Sequence, residues 1–226
     1  MDTKNIPLTR IQKLIGERML ESKQNQPCFY MTAKCDVGTI YDLRRQVSKQ
    51  TGTRVSMNDF FIRAMAIAVE QFPLMAGTIE DDYIVTADSV NVGLAVAAPK
   101  GLVVPVVKNA NEKNLAQIAK ETAELIEKAR NNKLSLDDLS PACITLTALG
   151  MFGIDSFLAI PSPRQCSILS VGKIIEEPVL HDGKIEVKKI VEFGLAADGR
   201  IVPYNYAAKF LVEITNSLAS PQKLID

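Results

Sequence analysis

Five stretches of the chain carry apolar residues at helical spacing. In the first, Ile11, Leu14, Ile15 and Met19 form one stripe, whereas the charged side chains around them point elsewhere. The third is apolar nearly all round from Phe60 onwards, which predicts burial on most sides. The predicted helices span about Leu8–Gln24, Thr39–Lys49, Ser56–Phe72, Asn114–Arg130 and Tyr204–Leu218.

Residues that start or stop helices agree with this periodicity. Ser56 is followed three positions later by Asp59, which predicts a capping box with Asp in place of the usual Glu. Asn114 is a favourable N-cap, Gly52 closes the second helix, and Pro73 stops the third. The connecting segments therefore begin at these positions.

Shorter runs of β-favouring residues between the helices predict strands. They span Cys28–Val37, Tyr83–Val85, Val92–Ala98, Leu102–Val107, Cys143–Leu149, Ser167–Ile175 and Ile185–Ala197. Pro99-Lys100-Gly101 predicts a turn between the third and fourth runs, and His181-Asp182-Gly183-Lys184 predicts another between the last two. Because several strands come late and in series, the order favours an α+β fold, a layered mixed sheet with flanking helices, over a doubly wound parallel sheet.

Length and charge narrow the class of protein. The chain has 226 residues, of which 47% are hydrophobic, so residues 1–226 are expected to form one domain with a sizeable core. Its 26 basic and 26 acidic residues balance, which gives no indication of a nucleic acid or membrane partner. The sequence contains no uncharged apolar run long enough for a transmembrane helix, and Met1–Thr9 has no apolar core of the kind found in signal peptides. We therefore expect a cytoplasmic protein.

The cysteines and the single histidine give no metal signature. Cys28, Cys35, Cys143 and Cys166 form no C-x-x-C pair, and free thiols in a reducing compartment are expected, with a reactive thiol at Cys28 as the minor alternative. His181 is the only histidine and lies in the predicted turn, so we interpret it as an exposed turn residue. Glycine-rich phosphate loops and a nucleophile elbow are absent from the sequence.

Three further stretches have ordinary structural explanations when each is taken alone. Arg10–Asp36 is a helix followed by a strand, Thr145–Phe157 is a strand that ends at a glycine turn, and Leu195–Tyr204 is a strand end with a loop. Within the second stretch, Thr147 on its own is a typical β-strand residue.

Taken together and in order, these stretches resemble the catalytic, inner-core domain of the dihydrolipoamide acyltransferase component of 2-oxo-acid dehydrogenase complexes. The similarity extends from about Ile6 to Leu224. It rests on a basic first helix and then on Ser22-Lys23-Gln24, Pro27-Cys28-Phe29-Tyr30, Ser56–Ala64, Asn91–Ala97, Gly101–Lys108, Thr145–Gly150 and Met151-Phe152-Gly153.

The resemblance implies a chloramphenicol-acetyltransferase-like fold and a trimer that can build a cubic or dodecahedral core. It implies an active site in a channel between neighbouring subunits, with dihydrolipoamide and coenzyme A as substrates and no metal. It assigns Thr147 to the position of the hydroxyl that stabilises the oxyanion of the tetrahedral intermediate. The residues that would bind the cofactors are not identified by it.

The sequence departs from the family where the catalytic histidine is expected, in an Asp-His-Arg-x-x-Asp-Gly motif. Asp198 and Arg200 match this motif, but Gly199 replaces the histidine, Pro203 the second aspartate and Tyr204 the glycine. Neither glycine nor proline has a side chain that can accept a proton. A positioned base contributes about 10²–10⁴ in rate, so its loss predicts little turnover.

Two functions remain open at this point. The first is a catalytically silent homologue that keeps a structural, assembly or ligand-binding role. The second is a working acyltransferase in which Cys28, which stands where many relatives carry a second histidine, or Asp198, water or a partner's histidine replaces the base. A mixed trimer with an active paralogue is a related expectation, because a silent chain could still line half of a channel. No lipoyl or small subunit-binding domain is predicted within these residues.

Overall fold

The structure is a computed structural model that describes residues 5–99, 101–181 and 183–225, and only the backbone of His181. The helices are α1 (Arg10–Asn25), α2 (Gly38–Thr51), α3 (Met57–Gln71), α4 (Leu115–Arg130), α5 (Tyr204–Ala219) and α6 (Gln222–Ile225). The strands are β1 (Cys28–Asp36), β2 (Gly77–Glu80), β3 (Tyr83–Thr86), β4 (Val92–Leu94), β5 (Val96–Ala98), β6 (Gly101–Val103), β7 (Val106–Val107), β8 (Ile144–Ala148), β9 (Ser167–Val171), β10 (Ile175–His181) and β11 (Lys184–Asp198).

A mixed sheet organises the fold. Its strands follow the order β1-β11-β9-β8-β4-β7, and β10 forms a hairpin with β11. The strand β11 is antiparallel to both β1 and β9, whereas β8 is parallel to β9 and to β4. The predicted α+β class with a mixed sheet and flanking helices is therefore confirmed.

One face of this sheet is covered by helices. Phe61 of α3 meets Phe193 of β11 edge-on, with ring centroids 5.2 Å apart. Side chains alternate between the two faces of a strand, so Leu195 lies on the same face as Phe193, and the register adds Met31 of β1 and Leu169 of β9. These residues belong to one continuous hydrophobic core, and dispersion and burial there hold the helices on the sheet.

Helix capping follows the predicted residues. Asp59 accepts hydrogen bonds from the backbone N–H and the hydroxyl of Ser56, at 2.6 and 2.8 Å, which completes the predicted capping box of α3. Asn114 caps α4 through a reciprocal pair with Gln117, each bond being 2.9 Å long. Gly52 ends α2 in the left-handed conformation, as a helix-closing glycine does.

Three strand predictions were wrong in extent. The Val92–Ala98 run is divided into β4 and β5, and the Leu102–Val107 run into β6 and β7, because the two halves belong to different sheets. The Ser167–Ile175 run ends as β9 at Val171, and the chain resumes pairing only in β10. The short strand predicted at Tyr83–Val85 is β3, and it forms a hairpin with β2, which was not predicted.

Several apolar side chains lie on the surface. The stripe on α1 is mostly uncovered, since Ile11 and Leu14 are exposed and Ser22 is the buried residue of that helix. Met151 and Phe152, in the short 3₁₀ turn after β8, are 75% and 66% exposed. Within the described residues, no helix has both the length and the apolar character needed to cross a bilayer. Neighbouring exposed apolar side chains of this type are common on surfaces that proteins use for association.

Candidate functional site

Thr147 lies near the end of β8, on the face of the sheet that the helices leave uncovered. It is level with Ser170 of β9, and Ser170 is in turn level with Gly194 of β11. Because Leu146 and Leu195 point into the helix-covered core, the alternation of side chains places Thr147 on the opposite face.

The hydroxyl of Thr147 is distinguished by its lack of a partner. The neighbouring hydroxyls on this face are engaged: Thr145 donates to Oε1 of Gln165 at 2.7 Å, and Ser170 donates to the carbonyl oxygen of Phe157 at 2.7 Å. Thr147 is half-buried and makes no hydrogen bond to any other residue that the structure describes. Its hydroxyl is therefore free to donate to a ligand.

The backbone around Thr147 is held by very close packing. A Cβ at Gly172, just after β9, would lie 2.6 Å from the carbonyl carbon of Asp155, and one at Gly150 would lie 2.8 Å from the carbonyl carbon of Gly172. Only glycine permits such an approach. The N–H of Lys173 donates to the carbonyl oxygen of Ile154 at 2.8 Å, so the segment after β8 is fastened across the end of β9.

A second cluster lies at the other end of β11. The carboxylate of Asp198 is fully buried and accepts hydrogen bonds from Nε of Arg200 at 3.0 and 3.2 Å and from Nη2 at 2.6 Å. It also accepts the backbone N–H of Arg200 at 3.0 Å. Cys28 of β1 pairs with Asp198 on one side, and on the other the N–H of Asp198 donates to the carbonyl oxygen of Cys166 at 2.9 Å. Asp198 and Arg200 thus form an ion pair in which both carboxylate oxygens accept hydrogen bonds from the guanidinium group.

The two positions at which the resemblance predicts a histidine and an aspartate, Gly199 and Pro203, are adjacent to this ion pair. The N–H of Gly199 donates to the carbonyl oxygen of Pro27 at 3.2 Å, and a Cβ at Gly199 would lie 3.3 Å from that oxygen and 3.6 Å from Cδ1 of Phe29. Pro203 is the N-cap residue of α5 and offers no side-chain cap. Tyr204 stacks on Phe29 with ring centroids 4.1 Å apart.

The two half-sites of one chain are far apart. We call the surroundings of Thr147 the donor half and those of Gly199 and Pro203 the base half. Gly194, which is level with Thr147 across two strand spacings, is five residues before Gly199 on β11. With about 3.4 Å per residue and about 4.8 Å per strand, Thr147 and Gly199 are roughly 19 Å apart. The structure therefore does not bring these predicted site residues together within one chain.

The thiols near the base half are poor bases. All four cysteines are free, as predicted. Burial, with the nearby Asp198 carboxylate as a second cause, raises the pKa of the Cys28 thiol to about 11, and burial raises that of Cys166 to about 12. A thiol with such a pKa stays protonated near neutral pH, which argues against a reactive Cys28.

Two further questions raised by the sequence concern metal binding and His181. No group of three or more His, Cys, Asp or Glu residues there could hold a metal ion. The backbone of His181 pairs with Lys184 at the end of the β10–β11 hairpin, but its side chain and Asp182 lie outside the described residues. Sequence analysis did not identify Gln26 and Arg164, which line a cleft of about 210 Å³ beside the Asp198–Arg200 pair.

The mixed sheet with helices on one face identifies the fold class of the protein. The chain has the fold of chloramphenicol acetyltransferase, with a TM-score of 0.55, 14% identity and coverage of 95% of this chain and 98% of that one. A likeness at that identity shows the fold alone.

Closer comparisons define the family. The family model described as 2-oxoacid dehydrogenases acyltransferase (catalytic domain) matches residues 1–225. The dihydrolipoyllysine-residue acetyltransferase component of the pyruvate dehydrogenase complex of Rickettsia felis is 36% identical over 224 residues, which are 97% of this chain and 54% of that protein. The chain belongs to the catalytic-domain family of the 2-oxoacid dehydrogenase acyltransferases, and it spans about half the length of the curated relatives it matches.

Solved structures agree with this assignment. A probable dihydrolipoamide acetyltransferase from Listeria monocytogenes has a TM-score of 0.91 and 34% identity, with coverage of 97% of this chain and 95% of that one. The cubic core of a pyruvate dehydrogenase multienzyme complex has a TM-score of 0.93 and 28% identity, with coverage of 100% and 95%. The same values hold for Azotobacter vinelandii dihydrolipoamide acetyltransferase, studied for the roles of a serine, a histidine and an asparagine in its catalytic mechanism.

Proposed function

We propose that this chain is a core homologue in which acyl transfer between dihydrolipoamide and coenzyme A is impaired, and that it retains an assembly or ligand-binding role. The single observation that carries the proposal is the absence of a free proton acceptor among the described residues of the base half. Gly199 and Pro203 supply none, the Asp198 carboxylate is occupied by Arg200, and the Cys28 thiol has a pKa of about 11. Without a base, the attacking thiol keeps its proton.

Spacing along the chain supports the assignment of the vacant positions. In the Azotobacter vinelandii enzyme, the serine and the histidine studied are 52 positions apart, and the asparagine follows the histidine by four. Thr147 and Gly199 are also 52 positions apart, and Pro203 follows Gly199 by four. The agreement of both intervals is what an ungapped alignment of the two half-sites requires.

Self-association is part of the same proposal. A relative of this chain forms the cubic core of a multienzyme complex. This chain exposes apolar side chains on α1 and after β8, where burial against another copy would be favourable. We infer that these surfaces lie between subunits and that a trimer is the basic unit, as the resemblance implies.

An acyl-transfer assay with acetyl-coenzyme A and dihydrolipoamide tests the loss of catalysis. We expect the purified chain to transfer acyl groups at least 100-fold more slowly than a histidine-bearing relative, which is the lower bound for the loss of a positioned base. Isothermal titration with coenzyme A on the same sample separates a ligand-binding role from a purely structural one. Transfer at a rate close to that of the relative would refute the proposal and favour the alternative of a working enzyme with another base.

Restoring the missing groups is the complementary test. The double variant Gly199→His with Pro203→Asp should raise the transfer rate by at least 100-fold, because the histidine Cβ requires only a small shift from the Pro27 carbonyl and Phe29. Aspartate at Pro203 is also a better N-cap for α5. Gly199→Ala is the matched control, since it introduces the same Cβ without an imidazole. If the native chain is active and the double variant changes nothing, the position of the site is wrong.

A further inference from the structure

We propose that the cleft beside the Asp198–Arg200 pair binds a small oxyanion, a phosphoryl or carboxylate group, and that Arg164 recognises it. The cleft has a volume of about 210 Å³. Thr147, Gly199 and Pro203 are not among the described residues that line it, so this inference stands apart from the proposed loss of catalysis.

The backbone conformation of Arg164 is the first argument. The N–H of Gln165 donates to the carbonyl oxygen of Ser162 at 3.0 Å, which closes a four-residue turn. Pro163 is the second residue of this turn, and Arg164, with a φ of 67°, is the third. Proline at the second position and a positive φ at the third define a type II turn, whose third position favours glycine or asparagine. The backbone of Arg164 is therefore strained.

A comparison with other left-handed positions makes Arg164 an exception. The remaining non-glycine residues with a positive φ in the described part of the chain are Asp81, Asn109 and Asn132. Aspartate and asparagine tolerate this conformation because their short polar side chains can bond to the nearby backbone. Arginine has no such compensation, whereas glycine would fit the turn without strain. The strain is explained if the side chain of Arg164 is needed where the turn places it.

The guanidinium group of Arg164 is the second argument. It lines the cleft and makes no hydrogen bond or ion pair with any residue that the structure describes. Arg200, on the same cleft, uses Nε and Nη2 for Asp198, which leaves its Nη1 available. Guanidinium groups bind phosphate and carboxylate oxygens through parallel N–H···O bonds. One free and one partly used guanidinium therefore suit an oxyanion.

The other polar groups of the cleft agree with this ligand. Asn25 of α1 and Thr78 of β2 line it, and neither side chain is bonded to a described residue, so both can donate to an anion. The charge of Asp198 is compensated by Arg200. Glu21 carries the one opposing unpaired charge among the described lining residues, and it is exposed on α1, where solvent and salt screen it.

Hydrogen bonds hold the walls of the cleft together. Nε2 of Gln26, the residue that follows α1, donates to the carbonyl oxygen of Gln165 at 2.8 Å. The hydroxyl of the buried Ser22 donates to the carbonyl oxygen of Pro161 at 2.7 Å. The turn that carries Arg164 is thus fastened to α1 at both ends. Because this backbone is fixed before a ligand arrives, binding orders little more than the arginine side chain.

Titration calorimetry on the purified chain tests the site, first with inorganic phosphate and then with acetate. We expect saturable binding of one anion per chain, and the two probes show whether the phosphoryl or the carboxylate form is preferred. Arg164→Gly should lower the affinity for the preferred probe by at least about tenfold, which corresponds to one hydrogen bond to a charged group. The same variant should raise Tm by roughly 2–4 °C, because glycine removes the strain of the turn.

Two further variants control this experiment. Asn132→Gly changes another left-handed residue, outside the cleft, and should leave the affinity unchanged. Glu21→Gln removes the opposing charge and should raise the affinity by roughly threefold. The inference would be overturned by the absence of saturable binding of both anions, by wild-type affinity in Arg164→Gly, or by a lower Tm in that variant.

Discussion

Gly172→Ala is the sharpest structural test of the packing beside the donor half. The added Cβ would overlap the carbonyl oxygen of Asp155 and lie 2.6 Å from its carbonyl carbon, so the segment after β8 must move by roughly 2 Å to reach ordinary contact. This movement breaks the bond from Lys173 N–H to the Ile154 carbonyl, at 2.8 Å, and that from the Ser170 hydroxyl to the Phe157 carbonyl, at 2.7 Å.

The expected cost follows from these contacts. Two hydrogen bonds are worth about 1 kcal/mol each, and the exposed Lys173–Asp155 ion pair adds at most about 1 kcal/mol. The free energy of unfolding should therefore fall by about 2–3 kcal/mol, which lowers Tm by roughly 4–12 °C for a chain of this size. Thermal and urea unfolding at one fixed protein concentration measure the change, and hydrogen exchange at the Lys173 amide reports the local opening.

Gly16→Ala is the matched control. Gly16 lies within α1 and a Cβ there would meet nothing within 4 Å, so the same chemical change should stabilise the helix by up to about 1 kcal/mol. Unfolding of Gly172→Ala like the wild type, with the Lys173 amide equally protected, would contradict this expectation, and so would a shift of Tm in the same direction for both variants.

Three further outcomes are expected. The hydrogen bond from Lys128, and next that from the Ser135 N–H, lower the pKa of Asp138 to about 2 in the folded protein. The stability advantage of the wild type over Asp138→Asn should therefore be present above about pH 4 and vanish as the pH falls towards 2. Urea titrations across that pH range measure this difference. Asn114→Ala should cost about 1 kcal/mol of unfolding free energy through loss of the α4 cap, with Asn114→Asp as control, and an unchanged midpoint would contradict it. Because the pKa of Cys28 is about 11, alkylation of this thiol at pH 8 should be about 100-fold slower than that of free cysteine, and an equal rate would show the thiolate to be accessible.

The sequence predicted the helices well because their signals are local. The capping box at Ser56 and Asp59, the cap at Asn114 and the stop at Gly52 act within one turn, and each is present in the structure. The α+β class followed from the order of elements alone. A local sequence pattern describes the conformation that a segment favours by itself, and in the folded chain these segments adopt that same helical conformation.

The strand errors arose where distant contacts decide the pairing. The Val92–Ala98 run reads as one strand, but Leu94 N–H bonds to the Pro105 carbonyl and Ala95 N–H to the Leu146 carbonyl, so the chain leaves one sheet for another. The run from Ser167 breaks at Gly172, because the carbonyl group of Asp155, from an earlier part of the chain, lies against it. Neither contact can be recognised from the sequence of the neighbouring residues.

The site shows the same division. Resemblance assigned Thr147, Gly199 and Pro203 to their positions in the motif, and these roles remain predictions. Sequence order could not reveal that Thr147 and Gly199 are separated by two strands and five residues, or that Asp198 is closed by Arg200. Those facts depend on sheet register, which is set by the whole core.

The position of β11 beneath both halves has an evolutionary consequence. The Gly194 region of β11 lies beside the donor half and its Asp198 end lies beside the base half, with a well-packed stretch of sheet between them. A side chain can be lost at the far end of this strand without disturbing the packing that holds Thr147. Duplicated genes of this family can therefore let one end decay under relaxed selection while the other end stays under constraint, and a lineage of such chains would accumulate changes on one side only.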